Sequence, residues 1–205
     1  MGTFYHHKTG ISFRKIERRD LPVLLELLNS TWAGRHSFPF MNMLDQEKWF
    51  DKITSDEKKM FLVAEEVSPM TEDVSISSGV SKPVGIFKIL NIDWINRTAD
   101  IGRDVFPDFQ HKGYGVRTLD AGNDFCFEML GLNRLDTEAL ETNLAARAIV
   151  LKCGYKEEGA RRKAIYRGGK WVNSVFYGIL RSDWEALERV KGYNGVCNLD
   201  MAALA

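Results

Sequence analysis

The sequence predicts one α/β domain with a mixed sheet. Strand-like and helix-like segments alternate from Ile11 to the C-terminal region, and no internal repeat or linker interrupts them. At 205 residues the chain is long enough for one well-cored domain and short for two.

The elements follow in order. Ile11, Ser12, Phe13 and Arg14 alternate apolar and polar, which predicts a first strand over 11–17. Asp20 is placed to cap a helix over 21–28, with Pro22 tolerated in its first turn. Residues 29–42 are aromatic-rich and irregular and read as a loop. Asp45 is the expected cap of a second helix striped by Trp49, Phe50 and Ile53. Strands are predicted over 60–65, 83–90 and 98–106, with a polar loop at 68–82 and a hairpin at 91–97. A long helix over 114–130, a short strand at 133–139 and a helix over 143–152 stopping at Gly154 come next. Strands at 155–162, 164–167 and 170–180, turned at Gly168-Gly169, lead to a tail helix capped by Asp183. The expected organisation is a flexible lead over 1–10, the domain over 11–190 and a tail over 191–205.

Lys plus Arg equals Asp plus Glu at 28 each, so no global charge points to nucleic acid or a membrane surface. Cys126, Cys153 and Cys197 have no disulfide or zinc-ligand spacing, and the first two lie in apolar runs suited to buried thiols. A reducing cytoplasm fits that usage, and no metal is expected. No stretch approaches the roughly 20 apolar residues that span a bilayer, and residues 1–10 lack the apolar core of a signal peptide. His6 and His7 read as part of a ragged tail.

The chemistry-bearing stretch is Phe106-Pro107-Asp108-Phe109-Gln110-His111-Lys112-Gly113-Tyr114-Gly115, at a strand-to-helix junction. It carries Gln-x-x-Gly-x-Gly, in which backbone N–H groups at a helix start cradle an anion and glycines allow close approach. Neither the dinucleotide fingerprint nor the Gly-Lys-Ser/Thr nucleotide loop is present. A plain strand-to-helix turn would use glycine in the same way. Three further matches lie in order around it: Ala99-Asp100-Ile101-Gly102, Asn133-Arg134-Leu135, and Asn143-x-x-Ala146 followed by Cys153-Gly154-Tyr155. Together they resemble the GNAT acetyltransferases from about Ile11 to Leu180, including the ribosomal-protein N-terminal, polyamine and nucleotide-amino-sugar branches.

The resemblance implies a single GNAT-like domain, its mostly antiparallel twisted sheet flanked by helices and splayed between the fourth and fifth expected strands. It implies direct acetyl transfer from acetyl-CoA to a primary amine. Backbone around Asp104, Val105 and Phe106 would bind pantetheine; Gln110, His111, Lys112, Gly113, Tyr114 and Gly115 would bind pyrophosphate; Asn143 would contact the cofactor arm or cap its helix. Asp100, Asp104 and Glu138 are candidate bases. The family's usual tyrosine acid position holds Val150, so Tyr155 stands as the candidate acid, with Tyr114, Tyr166 and Tyr177 or water as alternatives.

Trp32, Arg35, His36, Phe38 and Trp49 are the candidate acceptor contacts; Trp49 also suits core packing. Their mixed basic and aromatic character, with Arg161, Arg162, Arg167 and Lys170, points first to a nucleotide-linked amino sugar. A protein N-terminus, a polyamine or antibiotic, and a non-catalytic acetyl-CoA sensor remain alternatives. The expected partner is a small amine rather than nucleic acid or membrane, with homodimer formation left open.

Overall fold

In the computed structural model, which describes residues 3–29, 41–67 and 81–187, the chain opens with a short antiparallel hairpin. Strand β1 (Phe4–His6) pairs with β2 (Ile11–Lys15), and helices α1 (Leu21–Asn29) and α2 (Met43–Thr54) follow. Next come β3 (Met60–Val67), β4 (Ser81–Asp93), β5 (Thr98–Val105) and α3 (Tyr114–Asp124), which runs into a π-helical turn at Phe125–Met129. Strand β6 (Arg134–Leu140), α4 (Leu144–Lys152), β7 (Lys156–Arg167), β8 (Lys170–Leu180) and α5 (Arg181–Glu185) complete the described fold.

The eight strands form one sheet in the order β1-β2-β3-β4-β5-β6-β8-β7. Every pairing is antiparallel except β5 with β6. That parallel pairing lasts only for Thr98↔Arg134, Ala99↔Leu135 and Asp100↔Asp136. Beyond it β5 stays paired to β4 as far as Gly85↔Val105, and β6 stays paired to β8 as far as Leu140↔Ser174. The sheet therefore opens between β5 and β6, the two strands expected to splay.

Alternation along the strands divides the core between the two faces of the sheet. Phe87 and Ile89 of β4, Ile101 of β5 and Leu135 of β6 join Leu119, Phe125, Val150, Tyr155 and Tyr177 in the larger cluster with α3 and α4. Gly122 of α3 sits directly over Phe87, whose ring would be 2.3 Å from any Cβ there. On the other face, Leu21, Leu24 and Leu27 of α1 and Ile53 of α2 pack on Val63, Ile86 and Phe106. Edge strand β7 is almost wholly exposed and carries Glu157, Glu158, Arg161 and Arg162, charges that discourage edge-to-edge pairing.

Several expectations are corrected. The lead over 1–10 supplies β1, because Phe4 and His6 both face the core at 2% and 1% exposure. Helix α2 is capped by Asn42, whose Oδ1 accepts the Asp45 N–H at 3.0 Å; Asp45 sits at the third helical position and returns a contact to the Asn42 N–H. Asp20 likewise accepts the Glu17 N–H at 2.8 Å, closing a 3₁₀ turn ahead of α1. The two expected strands at 155–162 and 164–167 are one strand with bulges, since β8 supplies continuous partners for both. The described tail helix ends at Glu185.

Candidate active site

The opening between β5 and β6 is the floor of a cleft of about 530 Å³. Residues 101–105 line one side and Thr137, Glu138 and Ala139 the other; the α3 and α4 starts roof it with Gln110, Gly113, Gly115, Asn143 and Ala146. Two strand edges that no longer pair leave backbone N–H and C=O groups facing the gap. A ligand with amides along its length can take the place of the missing strand partner.

The roof follows from local sequence. Pro107 opens a 3₁₀ turn, Phe109 N–H returns to the Phe106 carbonyl at 2.9 Å, and Gln110 Nε2 donates to the Val105 carbonyl at 3.1 Å. His111 (φ 59°) and Gly113 (φ 84°) take left-handed backbone conformations that swing the chain into α3. The first helical bonds run from Val116 and Arg117 to the Gly113 carbonyl at 3.1 and 3.2 Å. The N–H groups ahead of them have no intrahelical acceptor and, with the positive end of the helix dipole, suit a diphosphate. A Cβ on Gly115 would lie 2.8 Å from Ile149 Cδ1, so this glycine lets α4 close against α3. Asn143 caps α4, its Oδ1 accepting the Ala146 N–H at 3.3 Å, and its side of the helix start lines the cleft.

Of the expected cofactor residues, Asp104, Val105, Gln110, His111, Gly113, Gly115 and Asn143 line the cleft. Phe106 is turned into the core beneath α1. Tyr114 is buried, with its hydroxyl donating to Glu66 at 2.6 Å, and Lys112 is exposed and donates to the Asp108 carbonyl at 2.8 Å.

The candidate bases separate by position. Asp104 lies at the cleft wall, ion-paired with Lys88 at 2.6 Å. Glu138 lies across the gap, accepting from the Ser174 hydroxyl at 2.8 Å, with Arg161 3.7 Å away. Asp100 is exposed outside the lining and accepts from Asn91 Nδ2 at 2.7 Å. Tyr155 is not brought to the cleft. It is buried against Cys126, Cys153 and Arg103, its hydroxyl donates to Asn123 at 2.7 Å, and burial raises its pKa well above the ordinary phenol value. Val150 is core, and among the described residues no tyrosine lines the cleft.

Trp32, Arg35, His36 and Phe38 lie outside the described residues. Trp49 packs edge-on to Phe61 at 5.0 Å beside the α1–α2 cluster. Sequence reasoning passed over Lys88, Arg103 and Thr137, all in the lining. Arg103 alone carried a readable signal, as a charge at the inward position after Ala99 and Ile101. Among the described residues no group of three His, Cys, Asp or Glu is placed to hold a metal, and no helix is long and apolar enough to cross a membrane.

Comparison with known proteins agrees with this geometry. The family described as Acetyltransferase (GNAT) domain matches residues 11–156. A Bacillus subtilis protein, YdaF, whose name proposes ribosomal N-acetylation for it, is 27% identical over 85% of this chain and 93% of its own. The spermidine N(1)-acetyltransferase of Escherichia coli K12 is 23% identical over 89% of this chain and 92% of its own. The crystal structure of spermidine N-acetyltransferase from Vibrio cholerae in complex with CoA and spermine superimposes with a TM-score of 0.76 at 21% identity, covering 86% of this chain and 99% of that one. With a splayed sheet, a glycine-lined helix start above it and a family match across most of its length, the chain belongs to the GNAT family and is an acetyl-CoA-dependent N-acetyltransferase.

Proposed function

We propose that the acceptor is a cationic polyamine, with Glu138 drawing off the proton of the attacking amine. The observation that carries the reading is a set of carboxylates on one sheet face. Register puts Asp100 opposite both Leu90 and Asp136, and Asp104 opposite Ile86, so Asp100, Asp104, Asp136 and Glu138 share the face covered elsewhere by α1 and α2. With Glu158, which shares Arg134 with Asp136, the cluster holds five carboxylates against three cations, Lys88, Arg134 and Arg161. An acidic surface beside the cleft attracts a polycation and repels a nucleotide diphosphate. The names of the relatives in E. coli and V. cholerae point the same way. The nucleotide-linked amino sugar, first choice on composition, gives way to the polyamine.

Acetyl-CoA supplies an activated acetyl thioester; the chain supplies placement and proton handling. An alkyl amine resembles lysine, with a pKa near ~10.4, and arrives protonated at neutral pH. Glu138 is exposed enough to meet it, and its ion pair with Arg161 is long at 3.7 Å, whereas Asp104 is held by Lys88 at 2.6 Å. Unpaired β5 N–H groups at the gap suit the oxyanion of the tetrahedral intermediate. With Tyr155 engaged by Asn123 and Val150 in the core, water is the acid for the departing thiolate.

The test is thiol release from acetyl-CoA with spermidine, a nucleotide-linked amino sugar, an aminoglycoside and short peptides. The expected result is selective spermidine turnover, with a KM that rises with ionic strength. Glu138→Gln should slow it by roughly a hundredfold near neutral pH, a defect that shrinks at high pH where the amine deprotonates unaided. Turnover confined to the nucleotide sugar or a peptide N-terminus would sink the polyamine reading. Cofactor binding without turnover on any amine would favour a sensor.

A further inference from the structure

Arg103 is the one charged side chain that β5 sends toward the α3–α4 side of the sheet. It pairs in register with Phe87, two positions after the buried Ile101, and lines the cleft. Its Nε lies 3.9 Å from where a Cβ on Gly115 would project, directly under the first turn of α3. No hydrogen bond or ion pair joins it to any described residue. Asp104 and Asp120 act on it only at longer range, and Asp104 is held by Lys88 on the opposite face of the strand. Its immediate surroundings are the buried Cys153 and Tyr155, and burial lowers its pKa from the ordinary guanidinium value. A half-buried cation without a partner among the described residues is costly, and its presence calls for an anion that arrives from outside.

The diphosphate of acetyl-CoA is the anion that this cleft receives. Above the guanidinium lie the backbone N–H groups of residues 111–115, and the one lysine of the loop, Lys112, is turned to the Asp108 carbonyl. We propose that Arg103 binds a phosphate oxygen of the acetyl-CoA diphosphate from the floor of the cleft, so that the diphosphate is held between a strand-borne guanidinium and the N-terminal N–H groups of α3. The inference rests on acetyl-CoA as the cosubstrate and is independent of the acceptor.

The test compares two thioesters, acetyl-CoA and S-acetylpantetheine, the second lacking the diphosphate. Arg103→Met, neutral and similar in reach, should weaken acetyl-CoA binding by about tenfold to a hundredfold and flatten its dependence on salt. The KM for S-acetylpantetheine should stay at the wild-type value, and the ligand-free variant should melt no lower than wild type, because an uncompensated charge has been removed. Arg103→Lys keeps the charge without the planar fork and should lose less acetyl-CoA affinity than Arg103→Met; it also serves if the methionine variant does not fold. Unchanged acetyl-CoA affinity in both variants would overturn the proposal. Equal losses on both thioesters would overturn it too, by placing Arg103 at the acyl end or in a packing role. A wild-type chain that bound no acetyl-CoA would overturn the family reading together with this one.

Discussion

The two ends of α3 handle buried polar groups in opposite ways. At its C-terminal end, about 15 Å from its start, Asp124 is 1% exposed and fully engaged. His6 Nε2 lies 2.7 Å from one of its oxygens and Trp184 Nε1 donates to the other at 2.9 Å. The Thr9 N–H donates to His6 Nδ1 at 3.2 Å, which leaves the Nε2 proton for Asp124. This network ties β1, α3 and α5 together and leaves no group for a ligand. At the N-terminal end, Arg103 and the N–H groups just ahead of Val116 have no hydrogen-bond partner among the described residues. Polar groups satisfied within the chain hold the structure; polar groups left over beside a cleft mark where a ligand completes it.

Breaking the closed end should give the largest effect. Asp124→Ala strands the His6 and Trp184 donors in the core, and should cost about 2–6 kcal/mol in urea unfolding, at about 1–3 kcal/mol for each unsatisfied donor. Acetyl-CoA affinity of the folded fraction should stay near wild type. Replacing His6 and Asp124 together with leucine should recover part of that loss, since only the Trp184 donor then lacks its acceptor. If the single variant weakened acetyl-CoA binding as much as stability, the contrast between the two ends would fail.

Altering the open end should leave stability nearly intact and remove ligand binding. Gly113→Glu places a carboxylate at the diphosphate cradle, where a Cβ meets no neighbour within 4 Å but the backbone φ of 84° disfavours a side chain. Acetyl-CoA affinity should fall more than about a hundredfold, near 3 kcal/mol, with about 1–2 kcal/mol lost from folding. Isothermal titration and unfolding on the same sample separate the two, and unchanged affinity would sink the cradle.

The smallest effect belongs to a partnered cluster nearer the surface. Burial pushes the Asp20 carboxyl up, but the Arg14 guanidinium and the Glu17 N–H outweigh it and hold it below its ordinary range. A depressed folded pKa contributes stability that is present above the unfolded value of about 3.9 and is lost as pH falls through the folded value. Asp20→Asn should therefore cost about 1–2 kcal/mol at neutral pH and flatten the loss of stability below about pH 4. An identical acid limb in variant and wild type would assign that limb to other carboxylates.

How much of this was legible in the chain varies by element. Strands with clean alternation and helices with glycine stops were readable, because local periodicity encodes them. Helix starts shifted by a few residues: Asn42 and Asp45 are both good caps, and the choice between them depends on which carbonyls the surrounding chain leaves free. The N-terminal segment looked like a loose lead because β1 owes its order to β2 beside it and to Asp124 more than a hundred residues away. In the site, Gln110, Gly113, Gly115 and Asn143 were named from their motif and line the cleft. Tyr155 was named by elimination after Val150, and sequence distance could not show that its hydroxyl turns inward to Asn123.

Composition and order along the chain thus determined the class of fold, the cofactor loop and the candidate carboxylates, since each depends on a residue and its near neighbours. Tertiary structure alone decided which carboxylates share a face, which arginine comes to line the cleft and where the sheet opens. Those are properties of strand register: β5 and β6 pair for three residues and then part, and every side chain beyond that point takes its role from which edge of the gap it occupies.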